Sequence, residues 1–191
     1  YRWAVPHYID KMIALEGREK LEKELEEFFG KHLFNQGNEP DIHTPFLFNI
    51  FGNPAETQRL VRALLTDDEM IHIYGGNAEY PEPYVGRAFR NAPDGLAPEM
   101  DEDDGTMSAW YIFSSMGFYP VVVGDATYEM FSPLYDKIRI KNGEADITIK
   151  TRSRKSPDDI IRGIYVNGRP MDGYRISHDD LSGKCRIIIE Y

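Results

Sequence analysis

Near residue 120 the hydrophobic pattern of the chain changes its period, and this change limits the folds open to it. Before it, Ile9, Met12 and Ile13, then Leu21, Leu25, Phe28 and Phe29, recur at helical spacing. Gly17 and Gly30 stand where helices stop, so this stretch predicts a helix pair joined at Gly17. Thr44-Pro45 and Asn53-Pro54-Ala55-Glu56 both read as helix starts, with a capping residue and then proline at the first helical position. Leu60, Val61, Leu64 and Leu65 give the second of these a buried stripe. A last helix is expected from about Met107 to Met116, ending at Gly117.

After Tyr119-Pro120 the period is two. Ile138 and Ile140 alternate with Lys137, Arg139 and Lys141, and Ile147 and Ile149 follow in the same manner. Asn142-Gly143 between them predicts a hairpin with a two-residue turn. Further strands are expected at Ile160 to Val166, closed by Asn167-Gly168, and at Arg186 to Tyr191, with 152–159 as a loop. The fold class is therefore α+β: a helical part over 1–122 and a small antiparallel β segment over 123–191, changing over near 120–127.

The 191 residues carry 22 Lys and Arg against 32 Asp and Glu, a net charge of −10. That balance argues against nucleic acid and against anionic lipid, both of which need a basic face. The longest apolar stretch, Ala109 to Val123, is broken by Ser114, Ser115, Gly117 and Pro120, so no membrane span is expected. The single cysteine, Cys185, lies in an expected strand and reads as a buried structural thiol. The chain opens on Tyr1 with no basic-then-apolar leader, so it is expected to start mid-protein, as a mature product or a cut fragment.

Two loops hold the residues most suited to chemistry. One is Gly37-Asn38-Glu39-Pro40-Asp41-Ile42-His43; the other runs from Pro93 to Gly105 and is acidic at Glu99, Asp101, Glu102, Asp103 and Asp104. Crowded carboxylates repel one another unless solvent, a helix N-terminus or a cation offsets the charge. A solvated helix cap accounts for this loop on composition, and a calcium site is the sharper alternative, since hard cations choose carboxylate and amide oxygens. With Gly105 at the EF-hand turn position, Met100 and Tyr111 would fall at ligand positions, so any metal must draw on separate loops. Paired carboxylates such as Asp101 and Asp103, with Glu39 from the other loop, also suit glycoside hydrolysis. No nucleophile elbow, zinc-protease or phosphate-loop pattern is present. His32, His72 and His178 read as ordinary structural residues; His7 and His43 lie nearer the two loops. The run Trp110-Tyr111-Ile112-Phe113 reads as core more than as a sugar platform.

Taken together, Gly37-Asn38-Glu39-Pro40, Pro93-Asp94-Gly95-Leu96, Met107-Ser108-Ala109-Trp110-Tyr111, Gly117-Phe118-Tyr119-Pro120, Ser132-Pro133-Leu134 and the opening Trp3 to His7 resemble glycoside hydrolase family 92. The resemblance spans nearly the whole chain in family order. It implies a calcium-dependent, exo-acting α-mannosidase, with α-1,2 linkage the first expectation, that inverts configuration in one displacement. It also implies that the chain forms the last helices of an (α/α)6 barrel followed by the family's C-terminal β segment, with a β-sandwich and the other barrel helices upstream in the same protein. By the same resemblance Asp101 and Asp103 match the acidic pair at the general-base position and Glu39 an essential glutamate. Asn38, Glu39 and Asp103 would surround Ca2+, while Trp3, His7 and His43 would contact the mannose-containing glycan. The family's acid glutamate belongs to an E-G-N motif upstream of Tyr1, so this chain alone is expected to turn over little or nothing. A secreted or periplasmic location is implied.

The chain departs from the family pattern at Tyr8, usually Asp, at Thr106, usually Gln, and in extra loop over Tyr74 to Arg90. The departures at Tyr8 and Thr106 motivate the alternative of a non-catalytic, calcium-dependent carbohydrate-binding or structural homologue.

Overall fold

A computed structural model describes residues 2–72, 81–98, 100 and 102–191. Helices α1 (Ile9–Glu16) and α2 (Arg18–Gly30) meet at Gly17, whose φ of 87° takes the left-handed turn there. Arg2 donates to Glu16 at 2.8 Å and to Glu24 at 2.6 Å, tying the opening segment across both helices. A 3-10 turn over Thr44–Phe46 leads into α3 (Leu47–Phe51). Thr44 does not cap it: this threonine is itself the first turn residue and its hydroxyl is buried. Asn53 does cap α4 (Pro54–Thr66), its Oδ1 accepting from the Glu56 N–H at 3.4 Å. Strands β1 (Ile71–His72) and β2 (Tyr84–Val85) form a short ribbon that the sequence pattern did not announce.

Helix α5 (Thr106–Met116) ends at Gly117, and here only glycine fits. A Cβ at this position would lie 2.8 Å from the Phe131 carbonyl oxygen and 2.9 Å from the Pro133 nitrogen, on a backbone with φ of 86°. The β part comes next: β3 (Phe118–Tyr119), β4 (Thr127–Met130), β5 (Lys137–Asn142), β6 (Ala145–Arg152), β7 (Gly163–Val166), β8 (Arg169–Pro170), β9 (Arg175–Ser177) and β10 (Lys184–Glu190). They form a three-stranded sheet, β3-β4-β9, and a five-stranded sheet, β5-β6-β10-β7-β8.

Three expectations shift in detail. Asn142 pairs with Ala145, so Gly143 and Glu144 are the central turn residues, one place later than expected; the positive φ of Gly143 supplies the hairpin twist. The strand expected from Ile160 begins at Gly163, because Ile161 instead donates its N–H to Gln58 of α4 at 3.2 Å. The large sheet is mixed: β10 runs antiparallel to β7 but parallel to β6, since the chain returns to the middle of the sheet through β7, β8 and β9. Asn167-Gly168 closes β7 onto β8 as expected, both residues at positive φ.

Two hydrophobic clusters form. The helical one gathers Trp3, Leu21, Leu25, Phe46, Phe48, Leu64, Met107 and Trp110; the other packs Phe118, Met130, Ile147, Ile164, Ile187 and Ile189, with the Cys185 thiol buried in it. They are joined by a polar clasp. Asn49 of α3 donates to the Met130 carbonyl at 2.9 Å and to Glu129 at 3.3 Å, and Arg175 donates to Glu129 at 2.6 Å. Among the described residues no helix is long and apolar enough to cross a membrane.

Candidate functional site

The first of the two loops begins where Phe34 is buried beneath Phe29. Asn35 then folds back, its Oδ1 accepting from the Gly37 N–H at 2.9 Å. Asn38 is extended, with φ of −129°, and Pro40 sets a 3-10 turn over Glu39–Asp41. Two buried groups hold the far end. The Trp110 indole N–H of α5 donates to the Ile42 carbonyl at 2.9 Å, and the His43 Nε2–H donates to the Trp3 carbonyl at 2.6 Å. A carbonyl can only accept, so this bond fixes the Nε2-protonated tautomer. Burial lowers the His43 imidazole and keeps it neutral, while burial raises the Asp41 carboxyl.

The second loop reaches the first at Met100. A Cβ on Gly37 would lie 3.3 Å from Met100 Cα and 3.4 Å from its Cβ, so the two backbones touch there because position 37 has no side chain. Beyond Met100 the loop turns through Asp103–Gly105, with Asp104 at φ of 52°, and enters α5. Glu102 caps that helix from outside: its two oxygens accept from the Ser108 N–H at 2.9 Å and the Ser108 hydroxyl at 2.8 Å. Asp103 is exposed.

The structure thus brings Asn38, Glu39 and His43 into one loop, packed on the chain that carries Asp103. Asp101 lies outside the described residues, as does Glu99. Trp3 acts differently from the expectation of a sugar contact. Its ring is 3% exposed and packs on Phe51 in the core, so only its carbonyl serves the loop. His7 is exposed and donates to the Val123 carbonyl at 2.7 Å.

Sequence reasoning missed the buried polar atoms of this stretch. Gln36 is 1% exposed, and neither of its amide atoms has a partner among the described residues. The same holds for Glu39 Oε1 and Thr44 Oγ1. A buried donor or acceptor left unpaired costs roughly 1–3 kcal/mol, so four such atoms in nine residues, the Gln36 amide nitrogen and three oxygens, mark a place built to meet something else. Oxygen-rich donors of this kind suit a hard cation or sugar hydroxyls. Among the described residues no three His, Cys, Asp or Glu side chains converge as a metal-binding group, and only Glu39 of the expected calcium set carries an unpartnered buried oxygen.

A sequence profile described as the Glycosyl hydrolase family 92 catalytic domain matches residues 1–68 and 78–190. The chain belongs to glycosyl hydrolase family 92. Solved members superpose closely on it. The GH92 glycosyl hydrolase ccman5 is 25% identical, with a TM-score of 0.86 over 98% of this chain. A GH92 α-mannosidase from Bacteroides thetaiotaomicron is 27% identical, with a TM-score of 0.77 over 98%. An inverting GH92 mannosidase from the same organism matches 80% of the chain at 27% identity and a TM-score of 0.59. An uncharacterized secreted glycosidase from Arthroderma benhamiae is 23% identical over 88% of the chain. The chain spans only 27% and 24% of the first two solved relatives and 19% of the secreted glycosidase.

Proposed function

We propose that this chain is the base-carrying part of a secreted, inverting α-mannosidase that removes terminal α-1,2-linked mannose from glycans with the help of calcium. The helices would close an (α/α)6 barrel together with helices from the rest of the protein. The observation that supports the reading is the contact between Gly37 and Met100, which joins the loop that carries Glu39 to the loop that carries Asp103. The named activities of two solved relatives, an α-mannosidase and an inverting mannosidase, support the substrate and the stereochemistry, and the secreted fungal relative supports the location.

Inversion requires water to enter on one face of the sugar while the glycosidic oxygen leaves from the other. The acidic loop supplies the base: Asp101 or Asp103 takes a proton from that water as its oxygen bonds to the anomeric carbon. The leaving oxygen takes its proton from an acid outside this chain, with the two carboxyl groups about 6.5–9.5 Å apart to admit the water. The product is then β-mannose, and this chain alone lacks the acid half. Glu39, Asn38 and Asp103 are the candidates to hold calcium, which would supply positive charge to sugar hydroxyls. Neutral His43, fixed through its Nε2–H on Trp3, can offer Nδ1 as an acceptor to a sugar hydroxyl.

The test is proton NMR of α-mannobiose hydrolysis by the full-length protein, with calcium and then with EDTA. β-Mannose appearing first, and only with calcium, supports the reading. Sugar binding without turnover on any α-mannoside would replace it with a carbohydrate-binding homologue.

A further inference from the structure

The outer face of the five-stranded sheet is strongly basic, although the chain has a net charge of −10. Across β5 and β6, Lys137 stands opposite Lys150, Arg139 opposite Thr148 and Lys141 opposite Asp146. On the other side of β6, β10 places Arg186 beside Thr148 and Lys184 beside Asp146. Residues paired in this way share one face, and the isoleucines between them, Ile147, Ile149 and Ile187, turn to the core. Six cations thus surround one carboxylate. Neighbouring strands are about 4.8 Å apart, so the cations of β5 and those of β10 form two rails about 10 Å apart. Between the rails a depression of about 260 Å³ lies over Asp146, Thr148 and Lys150.

The needs of the sheet itself do not explain this face. Lysines on an edge strand such as β5 discourage pairing with another chain, but Lys150, Lys184 and Arg186 stand on interior strands, where no edge needs guarding. Like charges directly opposite, as at Lys137 and Lys150, destabilise a sheet unless something offsets them. Among the described residues only Arg139 of the six cations forms an ion pair, with Asp146 at 2.8 Å. The negative charge of the chain comes from 1–122 and the β segment is close to neutral, so the overall balance hides this face.

An aromatic ring lies on the same face. Tyr165 of β7 stands opposite Ile188, where the β10 rail ends, in the row that holds Lys150. Its ring covers Gly163: a Cβ there would lie 3.4 Å from Tyr165 Cε2 and 3.8 Å from Cζ. A ring laid down in this manner leaves its other face for a pyranose. Asp146 then decides which polyanion fits. A carboxylate in the floor repels the dense phosphate charge of a nucleic acid. It accepts readily from hydroxyls, and its two bonds from Arg139 leave it lone pairs for them. A sugar chain with spaced carboxylates meets the cations, this acceptor and the ring together.

We propose that this face binds an acidic polysaccharide, one extended chain lying between the rails over Asp146 and Thr148 and leaving across Ile188 onto Tyr165. Its carboxylates pair with the lysines and arginines, and its hydroxyls donate to Asp146. Binding here uses neither calcium nor the two loops of the candidate site, so it stands or falls apart from α-mannosidase activity.

The experiment measures binding of the full-length protein to immobilised polygalacturonate, with EDTA present, at low salt and in about 1 M NaCl, where the Debye length is about 3 Å. Binding is expected at low salt and lost at high salt. The Kd should rise about tenfold when Lys184→Gln and Arg186→Gln are combined. The pair Lys137→Gln with Lys141→Gln should do the same, and it reads the other rail should the first variant fold poorly. Tyr165→Ala should weaken binding about fivefold. Lys11→Gln with Lys23→Gln removes as much charge from exposed positions of α1 and α2 and should leave the Kd unchanged. Absence of salt-sensitive binding by the unaltered protein overturns the proposal. So does an equal loss in the α1–α2 variant, which would reduce the effect to net charge. Tighter binding to single-stranded DNA than to polygalacturonate would give the face to nucleic acid and overturn the sugar chain as its occupant.

Discussion

Replacing Gly37 by alanine should separate the two loops and slow the proposed mannoside hydrolysis without unfolding the protein. The added methyl would meet Asn35 Oδ1 at 3.2 Å, Met100 Cα at 3.3 Å and Met100 Cβ at 3.4 Å. Carbon atoms pack best at about 3.5–4.0 Å, so the neighbours must move by a few tenths of an ångström. Gly37 is not among the glycines with positive φ, so the backbone tolerates alanine and the whole effect is steric. Asn35 cannot yield without losing its bond to the Gly37 N–H, and Met100 is buried, so the loops part. Overpacking of this kind costs about 1–3 kcal/mol, and the short overlap points to the low end. A misplacement of 1 Å costs roughly a hundredfold in rate, so half of that or less costs about tenfold. The assay is kcat/KM on α-mannobiose with the full-length protein, alongside its thermal midpoint. Gly30→Ala is the control: a Cβ there meets nothing within 4 Å, and in a helix it should stabilise by up to about 1 kcal/mol. A Gly37→Ala protein with full activity and an unchanged midpoint would refute the idea that this contact sets the site.

Trp110→Phe should cost about 2–4 kcal/mol in denaturant unfolding, since it leaves the Ile42 carbonyl unpaired and opens a void beside Phe89; a loss under about 1 kcal/mol would show that the pin is dispensable. Burial lowers both His43 and His72 below their ordinary value of 6.5, so below that pH the unfolded chain binds more protons than the folded one. Their contribution to stability is present above pH 6.5 and lost as pH falls through the depressed folded values. The thermal midpoint should drop between about pH 7 and pH 5, less steeply in His43→Gln, and an equal slope in that variant would count against the buried neutral imidazole. Calcium at about a hundred times its Kd should stabilise the full-length protein by about 2.7 kcal/mol; Glu39→Gln should remove most of that shift, and an unaltered calcium response would take Glu39 out of the ligand set.

Much of the fold can be read in the sequence because the signals are local. The caps at Asn53 and the stops at Gly17 and Gly117 need only neighbouring residues, and the hairpin through Gly143 needs only alternation and a turn. What escaped the sequence depends on distant partners. The parallel pairing of β10 with β6 is invisible to a period-two pattern, which reads the same for either direction. Glu129 in β4 looks like an ordinary solvent-facing residue, yet it is 5% exposed because Asn49 and Arg175, each far off in the chain, converge on it. At the candidate site, Trp3, expected to contact sugar, took its place in the core by packing on Phe51. Gln36 gave no signal, since glutamine beside a polar loop is ordinarily at the surface.

The central position of β10 has a consequence for how the protein is made. The hairpins β5–β6 and β7–β8 are each short-range and can form as soon as they leave the ribosome, but nothing joins them until residues 184–190 emerge between them. Until then each presents an open edge, the kind of surface that proteases and chaperones act on. A product cut short before Lys184 would keep both hairpins and lose the strand that unites them. The sheet thus serves as a check that translation has passed this point, and a message truncated there would yield material for degradation and not a slightly weakened protein.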